Sequence, residues 1–113
     1  MAPIDRAAAD SVLDWLDALD RPLSLPALVQ EIGRCLMLTK SRPRDADDQA
    51  LMLGALADEL AAFPGDVVAT ELRAWARRET WWPTLAEIAE RCRRATRARN
   101  GLRRACESGR AEA

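Results

Sequence analysis

Apolar residues return along this chain at helical intervals, and nowhere do they alternate with polar ones as a half-buried strand would require. At about 100° per residue, Ile4, Ala8, Val12, Trp15 and Leu19 share one stripe with Asp10, Asp14 and Asp17 opposite. That spacing predicts an amphipathic helix over 4–19 with an acidic back. "DRPL" interrupts it, after which Ser24 can serve as an N-cap and Pro26 sits in a first turn, where its missing N–H costs nothing. Leu25, Leu28, Val29, Ile32 and Leu36 form the second stripe.

"TKSRPRD" lacks periodicity and carries a proline, so it reads as the main connector, ending at an acidic N-cap region over 45–48. The third helix follows to about residue 63. Leu53, Leu56, Leu60 and Phe63 define its chief face, Leu51 points the other way, and small residues fill much of the circumference; a helix apolar almost all round is expected at the centre. "FPGD" ends it and starts the next, with Asp66 placed to cap the following N–H groups. Val68, Leu72 and Trp75 make the fourth stripe. The fifth helix opens at "TLAE", a capping box in which Thr84 and Glu87 satisfy each other's backbone N–H.

No hairpin dipeptide joins two β-branched runs and no repeat of 20–50 residues emerges. The expected fold is therefore all-α, a small bundle of about five helices. With 113 residues the chain suits a single domain. Leu85, Ile88, Ala89 and Cys92 lie on one stripe of the fifth helix, and Arg99 and Arg103 fall on that same stripe, so the core-facing pattern is expected to expire near Arg97. Asn100-Gly101 reads as a helix stop. The resulting division is a helical domain over 1–98 and a basic, partly mobile C-terminal tail over 99–113.

Composition narrows the function. The chain has no histidine and no tyrosine, and it carries no Gly-rich phosphate loop and no nucleophile or zinc-protease motif. Adjacent acids such as Asp47 with Asp48 point apart on a helix. A binding protein is expected, not an enzyme. Cys35, Cys92 and Cys106 are far apart, without a C-x-x-C pair, so no metal or other cofactor is expected, and Cys35 and Cys92 read as small core residues. No apolar run approaches the roughly 20 residues of a membrane span, and the N-terminus lacks a secretory layout; the expected location is cytoplasmic.

Charge is distributed unevenly: residues 1–70 carry net −6 and residues 71–113 net +5. Residues 91–104 hold seven arginines and no acid, a block suited to phosphates or to an acidic protein surface, or equally to a solvated basic helix end that complements the C-terminal dipole. Just before the last helix, "WWPT" places Trp81 and Trp82 side by side. Adjacent rings cannot both point the same way into one core, so either one packs and the other stands exposed, or both fold down over the helix ends as a hydrophobic lid. Pro83 and Ile88 fit a hydrophobic staple. Tryptophan and arginine dominate binding hot spots and also stack on unpaired bases. The candidate contact residues for a partner or nucleic acid are thus Arg77, Arg78, Trp81, Trp82, Arg91, Arg93, Arg94, Arg97, Arg99, Arg103 and Arg104.

A helix over 48–63, a second over 66–78 and an aromatic-Pro-Thr-x-x-Glu helix start at 82–87 together resemble the helical domain of the phage replicative-helicase loader and inhibitor family, over residues 47–92. The resemblance implies a non-enzymatic adaptor whose helices and mobile basic C-terminal segment contact the replicative helicase and an origin-binding protein. Tandem Trp81-Trp82 and the first two helices, 4–38, have no match in that pattern. Two other readings stay open. One is a direct DNA-binding component, such as a small terminase subunit or a transcriptional regulator; the other is an antitoxin-like interaction module whose acidic first helix covers a basic partner. The stripe over 4–19 serves equally well to pack within the chain or against a second copy in a homo-oligomer.

Overall fold

A computed structural model describes the backbone of residues 5–112 and the side chains of residues 5–110; Ile4, assigned above to the first stripe, lies outside the described residues. The described chain is all-α: α1 (Arg6–Leu19), α2 (Leu25–Leu38), α3 (Ala46–Leu60), α4 (Gly65–Arg78) and α5 (Leu85–Glu112). Each start has a local cause. Asp5 accepts from the Ala8 N–H at 2.8 Å, Ser24 from Ala27 at 3.3 Å and Asp45 from Asp48 at 2.8 Å. Before α5 the capping box is reciprocal: the Glu87 N–H donates to the Thr84 hydroxyl at 3.1 Å, and the Thr84 N–H to the Glu87 carboxylate at 3.0 Å. That donation from the Thr84 N–H is the main reason the Glu87 carboxyl is held below its usual range.

The main core joins α2, α3, α4 and the first half of α5 through Leu28, Ile32, Cys35, Leu56, Leu60, Val68, Leu72, Trp75, Ile88 and Cys92. Its centre is α4, which buries Val67, Val68, Leu72, Ala74 and Trp75 and packs on both α2 and α5. This corrects the expectation for α3. That helix buries only Leu56 and Leu60, and its Gly54 and Ala55 are exposed with Leu51. Small side chains offer little apolar area to drive a helix inward.

Gly65 makes the turn into α4 close-packed. Its N–H donates to the Arg21 carbonyl at 2.9 Å, and a Cβ there would stand 2.9 Å from both the Arg21 oxygen and the Leu23 nitrogen. The α1–α2 link thus rests on the α4 N-terminus. The N-cap of α4 is Pro64, without a side-chain cap, so Asp66 does not have the role expected for it.

The fifth helix differs most from expectation. It runs unbroken for 28 residues, across position 98 and through Asn100-Gly101, with no glycine at positive φ. Its second half packs antiparallel against α1. Arg99 and Arg103 do occupy the core-facing stripe, but as ion-pair donors: Arg99 reaches Asp66 at 2.7 Å and Asp20 at 3.1 Å, and Arg103 reaches Asp17 at 2.7 Å as well as Asp20. Beyond them Cys106 is fully buried against Ala9 and Leu13. Arg110 lies 3.0 Å from Asp10. The acids of α1 and the arginines of α5 hold each other, which a one-helix projection cannot reveal.

The inward face of α1 is also displaced from the expected stripe. Ala9, Leu13 and Leu16 are buried, whereas Trp15 is 58% exposed. The α1–α5 pair extends the molecule to 58 × 25 × 18 Å, with a radius of gyration of 17.2 Å against about 13 Å for a compact chain of this length. No helix among the described residues is long and apolar enough to cross a membrane.

Candidate functional site

Between α4 and α5 the chain is extended for a few residues and is held on both sides. Glu79 closes α4 by donating its N–H to the Trp75 carbonyl at 2.8 Å. The Lys40 N–H then donates to the Thr80 carbonyl at 2.8 Å, and the Trp82 N–H to the Lys40 carbonyl at 2.7 Å, forming an isolated parallel bridge between Lys40 and Trp81. From below, the indole N–H of the buried Trp75 donates to the Trp81 carbonyl at 2.7 Å.

Successive side chains of an extended segment point to opposite sides, and the two rings separate accordingly. Trp82 is half-buried and packs against the main core; Trp81 is 58% exposed. Pro83 and Ile88 are both buried, as a staple requires.

Trp81 borders two concavities. One, of about 560 Å³, is lined by Trp81, Trp82, Pro83 and Leu85 together with Met52, Leu56, Lys40, Arg42 and Arg44. It is apolar with three cations and no acid. The other, of about 690 Å³, is lined by the same two tryptophans with Glu71, Glu79, Glu87 and Glu90, against Arg91 and Arg94. The tryptophans form a ridge between a cationic groove and a largely acidic one, an arrangement that favours a partner of matching charge polarity.

Lys40, Arg42 and Arg44 were not among the residues expected from sequence. Their signal was present as three cations at alternate positions in "TKSRPRD", but the acidic total of the first 70 residues hides it, and only the bridge to Trp81 gives it meaning.

The predicted arginines do not converge on one site. Arg77 and Arg78 are exposed in the last turn of α4, where cations complement the helix dipole. Arg91 lies over the Trp75 ring, 5.0 Å from its centroid. Arg93 contacts Glu59 at 3.2 Å and Glu90 at 3.6 Å, and Arg97 contacts Glu90 at 3.2 Å. Arg94 and Arg104 are exposed. Arg99 and Arg103 retain only 14% and 23% of their side-chain exposure and are saturated with carboxylates, so they leave the candidate surface.

The thiols are interior. Burial pushes Cys35 up to about 11; Cys92 is pushed up to about 12, first by burial and then by the charge of Glu71. A thiol so poised is a poor nucleophile.

Searches against protein-family models, curated proteins and solved structures return no match to this chain.

Proposed function

We propose that this chain is a DNA-replication accessory protein of the phage helicase-loader type, acting as a non-enzymatic adaptor that captures a partner protein. The observation that carries the reading is Trp81: a large ring held out to solvent by backbone pairing and by the Trp75 indole, next to Lys40, Arg42 and Arg44. A pre-positioned aromatic loses little conformational freedom on binding, and tryptophan is enriched among residues that dominate interface energies. The groove suits an acidic segment with an apolar anchor. Resemblance over residues 47–92 makes the replicative helicase the first partner to test.

Direct DNA binding is the second reading, favoured by Arg93, Arg97 and Arg104, which recur on one side of α5 at intervals of four and seven. Two observations weigh against it. Arg93 and Arg97 already contact Glu59 and Glu90, and the glutamate-lined concavity beside Trp81 would repel phosphates.

The deciding experiment measures association with a purified replicative helicase, wild type against Trp81→Ala, with helix content followed by circular dichroism. Loss of binding with an unchanged spectrum supports the adaptor reading; equal binding by the variant removes it. Affinity for DNA that falls steeply with salt, unaffected by Trp81→Ala, would establish the DNA-binding reading instead.

A further inference from the structure

We infer that the arm formed by α1 and the second half of α5 is a self-association surface that pairs with the same arm of a second copy. This does not rest on the function proposed above and involves none of the residues of the tryptophan ridge.

The two flanks of the arm differ in character. On one, Asp20 meets Arg99 and Arg103, Asp17 meets Arg103, and Asp10 meets Arg110. Helical periodicity in an antiparallel pair then assigns Ala8, Val12, Trp15 and Leu19 of α1, and Ala98, Leu102, Ala105 and Gly109 of α5, to the other flank. Val12 lies at the inner edge of that flank, packed beside the Cys106 cluster. Both sets recur at intervals of four, three and four, the spacing of a helix-packing seam, and neither contains a charge. Trp15 and Leu102 are 58% and 43% exposed.

Why should a second copy cover this strip? The arm's own interior is thin: its cluster consists of Ala9, Leu13 and Cys106 with Val12 at the margin. Leu16 is the one further buried side chain on α1, so the most apolar stripe of that helix is only partly covered by the chain: Val12 and Leu19 are half-buried, and Ala8 and Trp15 are exposed. The strip is also complementary to itself. Its α1 half is a ridge of large side chains, Val12, Trp15 and Leu19, while its α5 half carries small ones, Ala98, Ala105 and Gly109, around Leu102. A two-fold rotation sets each ridge over the partner's small-residue half and closes a four-helix bundle. Two helices about 21 Å long, covered from one side in each copy, bury on the order of 1,000 Å² in total, the threshold for a specific contact. The acids and arginines stay on the outer flanks, already neutralised.

Sedimentation velocity of the full chain across the micromolar range tests this. The wild type is expected to dimerise with rising concentration. Trp15→Asp and Leu102→Asp, each at an exposed position, should raise the dissociation constant at least tenfold without loss of helical signal, whereas Leu51→Asp, exposed on α3, should leave it unchanged. Ala98→Arg provides a third arm variant should either aspartate reduce folding. A wild type that stays monomeric throughout overturns the inference, as does a dimer that survives all three arm variants or yields only to Leu51→Asp or Trp81→Ala.

Discussion

The indole N–H of Trp75, on a ring only 6% exposed, donates to the backbone carbonyl of Trp81 at 2.7 Å. A core residue of α4 thereby anchors the backbone of the segment that displays the exposed Trp81 ring. Trp75 contributes twice: its apolar area to the main core, and its one donor to the ridge.

Trp75→Phe separates those contributions, keeping most of the ring and removing the donor. Loss of this hydrogen bond should cost about 1–2 kcal/mol of stability. Partner binding should weaken further than the melt alone explains, because the Trp81 backbone is no longer anchored. Chemical denaturation paired with a binding isotherm measures both; a variant that binds like wild type would show the anchor to be irrelevant to the ridge.

Arg99 supplies the second prediction. Its guanidinium joins Asp66 at the start of α4 to Asp20 at the end of α1, so Arg99→Met strips the partly buried Asp66 of its cation and leaves Asp20 with Arg103 alone. The expected loss is about 2–3 kcal/mol, lowering the melting temperature by roughly 10 °C. Arg103→Met should cost less, since one of its acceptors, Asp17, is 67% exposed.

Acid should act through the same node. The Asp66 carboxyl is held below its ordinary range, first by the hydrogen bond from Arg99 and then by its charge, with burial opposing. Its unfolded form therefore binds a proton more readily than its folded form. The stability it contributes is complete above the ordinary aspartate range, about 3.9, and is lost as pH falls from there through the lowered folded value. In urea titrations at stepped pH, wild type should lose stability over that window. Arg99→Met should show a shallower decline, with the gap between the two narrowing toward low pH.

Glycine substitutions distinguish a crowded position from an open one. Gly65→Ala drives a methyl against the Arg21 and Leu23 backbone and should cost about 1–3 kcal/mol. Gly101→Ala meets nothing within 4 Å, and Gly101 lies inside α5 without positive φ, so it should stabilise by about 0.5–1 kcal/mol. Had the helix stopped at Asn100-Gly101, the same alanine would destabilise. Thermal melts of the two variants give opposite signs if α5 is continuous.

Features decided by near neighbours in sequence were the legible ones. The Thr84–Glu87 capping box, the Ser24 and Asp45 caps, and the Val68, Leu72 and Trp75 stripe of α4 all needed only residues within a few positions of each other. What escaped was long-range. Arg99 and Arg103 looked like the end of a buried face because their acceptors, Asp17, Asp20 and Asp66, lie tens of residues away, and Cys106 returns to the buried face only after them. On α1, Trp15 dominated the apolar pattern, yet the carboxylates that meet α5 turn Ala9, Leu13 and Leu16 inward. The cationic groove was illegible for a similar reason, since nothing local tells Lys40 that it will pair with Trp81.

Because α5 is one uninterrupted rod about 42 Å long, the capping box beside the tryptophans and the cysteine at the arm share a common axis. Two molecules joined at their arms would present two tryptophan ridges at a fixed separation, like the jaws of a caliper. Any partner carrying two copies of a matching site would then be held at two points whose spacing is set by helix length.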